Sequence, residues 1–322
     1  MEVARRTIVL PLVGFLAGIA ALDAAAQDAQ AWLNRMTEAV EALSYQGTFV
    51  HLLGNQAETL YIVHLNDDGR VSERIVAMDG VGREIIRHEE KVQCILPARR
   101  IVLVEERKEV SPLVSALPSY SAELQRHYEF SLHSTARVAD RQTQVVGIKP
   151  KDEFRYGYML WLDSETGMPL KSQLKDDQGR TVEQILFTQI EISDSIPMSA
   201  LMPTINTEGF EMVRPPAAGL ASEQRPHWRA SRLPGGFKLS AATHGPIAGS
   251  RYPVQHLVYS DGLATVSVFI ENPNSKPEMA GGFSQVGSAN AFSLSVNGHQ
   301  VTAVGEVPPR TVETIATSLH AP

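Results

Sequence analysis

The spacing of apolar residues predicts one amphipathic helix followed by a long series of short strands. Between residues 31 and 43 the apolar residues recur at helical spacing and share one face, namely Trp32, Met36, Ala39, Val40 and Leu43. From residue 45 onward, strand-like segments follow at intervals of roughly 8–12 residues, separated by Gly, Asn and Asp. This pattern is typical of an antiparallel meander or barrel.

Residues 155–174 (RYGYMLWLDSETGMPLKSQL) show the clearest hairpin pattern. Tyr156 to Leu162 is a continuous apolar run, Asp163 to Gly167 supplies turn residues, and residues 168–174 return as a second strand. An antiparallel strand with one face in water alternates between apolar and polar residues. The continuous run therefore indicates that both faces of this strand meet apolar groups.

Residues 60–63 and 101–104 carry the same two-faced apolar character. A strongly curved sheet that wraps around a helix, with room for an apolar guest, would explain all three runs. We expect a mainly β fold with helices (α+β), in which an unclosed antiparallel β-barrel is wrapped around helices. A smaller α+β domain is expected to follow it.

The pattern breaks in the proline-rich residues 193–225, where no usable apolar period remains. We place a linker at residues 207–225, between a first domain of residues 27–206 and a smaller domain of residues 226–322. The smaller domain is predicted to contain strands, hairpins over Asp261-Gly262 and Asn297-Gly298, and a closing helix.

The first 26 residues have the features of a secretory signal peptide. Arg5 and Arg6 precede an apolar run from Ile8 to Leu22, and Ala24-Ala25-Ala26 fits a cleavage site. The run is shorter than the roughly 20 residues that a membrane span needs. We expect cleavage and export, which leaves residues 27–322 as the mature chain.

Composition narrows the classes of function. The chain has 322 residues and a formal net charge of −7, which argues against a nucleic acid as partner. Cys94 is the single cysteine and lies in an apolar strand-like run, so we interpret it as a buried residue and expect no intramolecular disulfide.

Catalytic and metal-binding motifs give no positive signal. The ten histidines are scattered and form no zinc-binding spacing, the acidic turns lack the spacing of a calcium loop, and no G-x-S-x-G motif occurs. We therefore expect no enzyme, no metal and no cofactor, and a binding function instead. An exported hydrolase would require a polar cleft that gathers Ser, His and Asp in the folded chain.

Four segments together resemble the RseB/MucB family of periplasmic regulators of an envelope-stress sigma factor. They are SYQGTFVH (44–51), RYGYMLWLDSETGMPLKSQL (155–174), LPGGF (233–237) and VYSDGLATVSVFIE (258–271). The resemblance runs in order along essentially the whole mature chain. It implies an N-terminal domain similar to the LolA/LolB lipoprotein carriers, with an unclosed barrel and an apolar cavity for acyl chains.

The resemblance also implies partners. Such a protein binds the periplasmic region of a membrane-spanning anti-sigma factor of the RseA/MucA type and shields it from proteolysis. The acyl chains of lipopolysaccharide or lipoprotein are expected to release it. Whether the chain forms a homo-oligomer stays open.

Site residues follow from this resemblance only as expectations. For the apolar cavity we select Phe49, Leu60, Ile62, Leu103, Met159 and Trp161. For the partner surface we select Arg251, Tyr259, Phe269 and Phe283. Each of the cavity residues would equally suit ordinary barrel core, and Tyr259 and Phe269 would also suit core positions.

An alternative function is a periplasmic lipid or lipoprotein carrier of the LolA type. In a carrier the smaller domain would be dispensable for lipid binding, whereas a regulator would need it to protect its partner. The two hypotheses therefore differ in what residues 226–322 do.

Overall fold

The computed structural model describes residues 16–80, 82–106, 117–118, 121–214, 227–245, 252–272 and 281–321, with side chains from residue 28 onward. These ranges form two main sheets, each with a helix packed on one face, and a separate pair of short strands. No helix within them is both long and apolar enough to cross a membrane.

The large sheet has thirteen strands, and its two ends do not pair with each other. All its pairings are antiparallel except that of its last strand in the chain, which runs parallel to its neighbour. Its strands are β1 (Tyr45–Leu53), β2 (Gln56–Asp67), β3 (Arg70–Ala77), β4 (Glu84–His88), β5 (Lys91–Leu96), β6 (Ile101–Glu106), β7 (Tyr128–Leu132), β8 (Ala136–Val138), β9 (Arg141–Pro150), β10 (Gly157–Asp163), β11 (Pro169–Lys175), β12 (Thr181–Ile192) and β13 (Glu211–Val213). The order β13-β6-β5-β4-β3-β2-β1-β12-β11-β10-β9-β7, with β8 beside β9, confirms the predicted unclosed, mainly β fold.

The small sheet has six strands, and two short strands pair beside it. The six are β15 (Lys238–Gly245), β16 (Val254–Ser260), β17 (Thr265–Glu271), β18 (Gly282–Val286), β19 (Ala289–Val296) and β20 (His299–Gly305). The separate pair is β14 (Arg229–Ala230) with β21 (Leu319–His320). Short 3₁₀ helices occupy Pro97–Arg99, Ala122–Arg126 and Met198–Leu201.

Two α-helices complete these elements. Helix α1 (Leu16–Ala42) begins earlier than the apolar stripe predicts, because the alanine-rich residues before it favour helix strongly. Leu33, Met36 and Val40 of α1 pack against the large sheet, and we call the sheet face they contact the inner face. Helix α2 (Pro309–Thr317) covers one face of the small sheet with Val312, Ile315 and Ala316.

The hairpin of β10 and β11 meets α1 at its tip. The Asp163 carboxylate accepts the backbone amides of Glu165 and Thr166 at 3.1 and 2.8 Å, and so holds the turn. Gly167 has a φ of +83°, and a Cβ there would lie 2.7 Å from the Arg35 side chain of α1. Only glycine satisfies both the backbone conformation and the close approach of the helix.

The second face of the sheet, which we call the outer face, is covered by residues 193–213 at the apolar strands β2 and β6. Val63 of β2 packs against Ile196 and Leu201. Val102 and Val104 of β6 form a cluster with Ile95, against which residues 205 and 210 pack. Residues 211–213, which the sequence assigned to the linker, form β13 on the edge of β6, whereas residues 215–225 of that linker lie outside the described residues.

A buried ion pair fastens this covering segment to the outer face. Arg74 Nη2 donates to Glu84 Oε1 at 2.8 Å, and the Glu84 carboxylate also accepts the Thr204 amide and hydroxyl. Burial alone would raise the pKa of Glu84, but the hydrogen bonds from Arg74 and Thr204 outweigh it and lower the pKa. Glu84 thus stays ionised and links three segments of the chain.

We predict that Glu84→Ala destabilises the chain by about 3–5 kcal/mol, because it leaves Arg74 as an unpaired buried charge and frees the Thr204 segment. Urea unfolding measures the change. Asp67→Ala is the control, since the exposed Asp67–Arg70 pair contributes about 1 kcal/mol or less. Equal effects of the two substitutions would contradict the role given to Glu84.

Candidate functional site

The two sheets meet around the turn between β16 and β17, which the sequence SDG forms. Asp261 Oδ1 accepts the backbone amides of Leu263 and Ala264 at 2.9 and 2.7 Å, and Gly262 takes a φ of +100°. One carboxylate oxygen therefore shapes the turn. The other oxygen, Oδ2, faces the large sheet.

Arg155, just before β10, meets that oxygen. Its Nη1 donates to Asp261 Oδ2 at 2.6 Å, and both side chains are 0% exposed. Nε donates to Asp152 at 3.0 Å, and Nη2 donates to the Gly235 carbonyl. The guanidinium thus satisfies three acceptors, two of which belong to the small-sheet unit.

Aromatic groups complete this contact, which we call the docking interface. The Tyr128 hydroxyl donates to Asp261 Oδ2 at 3.0 Å, and the rings of Tyr128 and Phe237 lie 5.4 and 5.3 Å from the guanidinium. A Cβ on Gly236 would lie 2.5 Å from Nε2 of His127. The segment LPGGF is therefore glycine-rich because it packs directly against the large-sheet unit.

Further hydrogen bonds cross between the two units. Asn290 Nδ2 donates to the Tyr156 hydroxyl at 3.0 Å, and the Thr311 hydroxyl donates to the Phe154 carbonyl at 2.7 Å. Residues 152–156 thus contact four separate parts of the small-sheet unit, at Gly235, Asp261, Asn290 and Thr311. They are the main connection between the two units in the part of the chain that the structure describes.

A partly open cavity of about 360 Å³ lies between the two sheets beside the docking interface. Its lining is aromatic on the large-sheet side and mixed on the small-sheet side. The lining residues are Tyr128, Tyr156, Tyr158, Leu174, Leu263, Ala264, Thr265, Ser267, Phe269, Ala289, Val304, Gly305 and Glu306. Side chains alternate along β17, which explains which of its residues line the cavity. Ser267 and Phe269 point to the cavity, whereas Val266, Val268 and Ile270 point to α2.

Two carboxyl groups, Glu306 of the cavity lining and Glu183 of β12, meet beside the cavity. Burial, the negative charge of Glu183 and a hydrogen bond with it raise the pKa of Glu306 to about 7. A hydrogen bond from Ser288 to Glu306 acts in the opposite direction. His51 Nε2 lies 2.7 Å from Glu183, and that hydrogen bond raises the pKa of His51. Near neutral pH this cluster holds a proton that it would not hold in water.

The six residues expected to line an apolar barrel cavity do not come together. Phe49, Leu60 and Ile62 lie in the buried core beneath α1. Leu103 lies on the inner face further along the sheet, as the pairing Ile62–Ile75–Ile85–Cys94–Leu103 shows.

Met159 and Trp161 are a correction to that set. They point to the outer face, because the neighbouring residues Leu160 and Leu162 face the core and side chains alternate along a strand. Trp161 carries the Lys171 ammonium 4.3 Å above its ring. The two side chains therefore cannot share a cavity with Phe49.

The residues expected at the partner surface also separate. Tyr259 is 3% exposed in the small-sheet core, and its hydroxyl accepts the Ala230 amide at 3.2 Å, so it is a core residue rather than a surface anchor. Phe269 stacks on His256 at 4.5 Å and lines the cavity between the sheets. Phe283 is 55% exposed on the edge strand β18, and Arg251 lies outside the described residues.

Sequence reasoning missed the docking interface. Arg155 and Asp261 are separated by 106 positions, and each also has a local role in a turn. A charged residue directly before the apolar run of β10 was the available signal. Within the described ranges no group of three metal-ligating side chains comes together.

Comparisons with known proteins cover almost the whole chain. Family models match in two consecutive parts, the MucB/RseB N-terminal domain over residues 28–205 and the MucB/RseB C-terminal domain over residues 222–320. The sigma factor AlgU regulatory protein MucB of Pseudomonas aeruginosa is 35% identical over 321 residues, which is 98% of each chain.

Two solved structures extend the likeness to three dimensions. A complex of Pseudomonas aeruginosa MucA and MucB matches with a TM-score of 0.72 and 32% identity, over 91% of this chain and 99% of that one. MucB in complex with MucA(peri) matches with a TM-score of 0.71 and 33% identity, over the same shares. In both the likeness spans the two sheets together.

We predict that Arg155→Ala weakens the docking of the two units by about 3–5 kcal/mol, because it leaves Asp261 buried without its cation. Calorimetry should then resolve separate transitions, and hydrogen exchange should rise at the turn 260–264. Arg180→Ala is the matched control, since Arg180 pairs with Asp176 but is 69% exposed. A single unshifted transition in Arg155→Ala would contradict the assignment.

We also predict that titration of Glu306 lowers the stability of the wild-type chain as pH rises from 5.5 to 8, against a smaller opposite contribution from His256, whose pKa burial lowers. The pKa of Glu306 is about 7 in the folded state against an ordinary 4.5, so its contribution is complete below pH 4.5 and is lost as pH rises through 7. The raised pKa of His51, ordinarily 6.5, acts in the same direction. Thermal unfolding at both pH values measures the change.

The control for this prediction is Glu306→Gln, which keeps the shape of the side chain but removes its charge. We expect a smaller fall in melting temperature between pH 5.5 and 8 for this variant than for wild type. Identical pH dependence in the two proteins would show that Glu306 does not titrate as described.

Proposed function

This chain belongs to the MucB/RseB family, and from that premise we propose that it is a negative regulator of an envelope-stress sigma factor. It acts by binding the periplasmic region of a membrane-spanning anti-sigma factor of the RseA/MucA type. The observation that carries the proposal is the match of both units, along nearly the whole chain, to a MucB solved together with MucA. The proposal assigns no reaction to the chain.

The proposed place of action is the periplasm. Residues 1–26 direct export and are removed, so that the mature chain starts at Gln27. The mature chain then consists of a large domain that extends past the expected boundary at residue 206 to include β13, a linker, and a small domain from residue 226.

The proposed mechanism is protection by occupancy with release by a second ligand. While bound, the chain shields the anti-sigma segment from proteolysis. A lipid ligand, from lipopolysaccharide or lipoprotein, binds more tightly to a conformation of the chain that does not bind the anti-sigma segment. The difference in the lipid's affinity for the two conformations sets how strongly it releases the segment. The hydrogen-bonded contact between the two units is the element on which such a preference would act, because the units are joined by few segments.

A LolA-type carrier is the alternative that the unclosed large sheet favours. The inner face around Phe49, Leu60 and Ile62 is filled by Leu33 and Met36 of α1, both 1% exposed. An acyl chain at that position would have to displace core side chains. We therefore prefer the regulator.

We predict that the mature chain binds the periplasmic region of its own organism's anti-sigma factor and slows cleavage of that region by the first regulatory protease. Calorimetry and a cleavage assay measure the two effects. Arg155→Ala should weaken binding at least tenfold, because both units contribute to the match with the MucA complexes, whereas Arg180→Ala should not. Absence of binding at micromolar concentration would refute the proposed function.

A further inference from the structure

The cavity between the sheets has a lining suited to positive charge. Tyr128, Tyr156, Tyr158 and Phe269 contribute four aromatic rings, whose faces carry partial negative charge. Glu306 adds a carboxyl group to the same lining. Its volume of about 360 Å³ lies near the lower end of the range for small-ligand pockets, roughly 300–1,000 Å³.

The charges that surround the cavity leave it negative. Burial raises the pKa of the Tyr158 phenol, and Glu306, Glu183 and Asp261 raise it further, so every charge that shifts this group is a carboxylate. Arg155 neutralises Asp261, and His51 lies against Glu183 with Glu58 nearby. At the Tyr156 end, Asp176 and Asp177 face Arg180. His51 also acts on Glu306, but its ring nitrogen lies 2.7 Å from Glu183, so no cation among the described residues forms an ion pair with Glu306 itself.

The cavity also offers uncommitted hydrogen-bonding groups. Tyr156 accepts a hydrogen bond from Asn290 and keeps its own hydroxyl proton for another partner. The hydroxyl groups of Tyr158 and Ser267 line the cavity and make no hydrogen bond to any described residue. A ligand that enters therefore meets both a negative potential and polar groups that can bind an amide or a charged head.

We propose that this cavity accepts a cationic side chain, a lysine ammonium or an arginine guanidinium, from a polypeptide bound to the chain. The inference rests on the proposed function, since the polypeptide would be the anti-sigma segment. The cation pairs with Glu306 and packs against the tyrosine and phenylalanine rings, as cations do in aromatic cages. It also removes the repulsion between Glu306 and Glu183, which come from different units, and so favours the docked arrangement.

Cation binding and protonation of Glu306 then compete for the same carboxylate. A group with a pKa of about 7 is ionised in roughly nine-tenths of molecules at pH 8 and one-tenth at pH 6. Apparent affinity for a cationic probe should therefore be about tenfold weaker at pH 6 than at pH 8. A neutral probe should show no such dependence.

The test uses the full mature chain and two probes of the same shape. Nα-acetyl-arginine methylamide is cationic, and Nα-acetyl-citrulline methylamide is its neutral isostere. In an NMR titration at pH 8, the arginine probe should shift the amide resonances of residues 265–269 and 304–306. The dissociation constant from these shifts should be at least tenfold lower for the arginine probe than for the citrulline probe. Equal affinities, or shifts confined to other surfaces, would overturn the proposal.

Variants distinguish binding of the arginine probe in the cavity from nonspecific attraction to the net negative charge of the chain. Glu306→Gln should weaken the arginine probe at least tenfold and abolish its pH dependence. Glu191→Gln is the matched control, because Glu191 is exposed on β12 and accepts a hydrogen bond from the Gln46 amide, away from the cavity lining. Phe269→Leu provides a second variant that leaves the carboxylates intact and should weaken the arginine probe several-fold. An unchanged affinity in both Glu306→Gln and Phe269→Leu would refute the site.

A second arm distinguishes this proposal from the proposed function. The periplasmic region of the anti-sigma factor is titrated into wild type and into Glu306→Gln at pH 8 and pH 6. Tighter binding by wild type at pH 8 supports the cavity. Equal binding by both proteins at both pH values refutes the cavity but leaves the regulatory function standing. Failure of the wild-type chain to bind the anti-sigma region refutes the regulatory function. In that case the NMR titration with the arginine probe still tests the cavity on its own.

Discussion

The buried ion pair between Arg155 and Asp261 is the contact on which the arrangement of this chain depends. Two fully buried charges lose their hydration and are tolerated only where each is completely hydrogen-bonded. Arg155 meets this condition with Asp261, Asp152 and Gly235, and Asp261 meets it with Arg155, Tyr128 and two amides of its own turn. Small displacements of one sheet against the other would break several of these bonds at once, so the pair selects one arrangement. The cavity between the sheets exists because that arrangement is fixed.

The second constraint is the width of the large sheet. A sheet of thirteen strands has two wide faces that must be covered. Helix α1 covers only part of the inner face, around Phe49, Leu60 and Ile62. Residues 193–213 cover the outer face of β2 to β6, with the Arg74–Glu84 pair as their fastening. After β12 the chain therefore runs across the outer face of the large sheet before it continues to the small-sheet unit. This route explains why β2 and β6 carry apolar residues on both faces although the sheet is antiparallel.

Local features of the chain were readable from the sequence, whereas distant contacts were not. The stripe Trp32–Leu43 predicts α1, and the Asp-Gly turns predict the hairpins, because both signals depend on neighbouring residues alone. The continuous apolar run of β10 conceals its own alternation, so the sequence alone does not separate Met159 and Trp161 from the inner-face residues. Strand β13 has only three residues, too few to show a period, and its position depends on the edge of β6. The interface of Arg155 with Asp261 requires the fold itself.

The central claim is that the Arg155 contact holds the two sheets in a single arrangement that the partner recognises. Distances between spin labels at Arg137→Cys on β8 and Glu313→Cys on α2, in a Cys94→Ser background, measure this most directly. We expect one narrow distance distribution for the free chain, unchanged when the anti-sigma segment binds and broadened by Arg155→Ala. A broad distribution in the free chain, insensitive to Arg155→Ala, would contradict it.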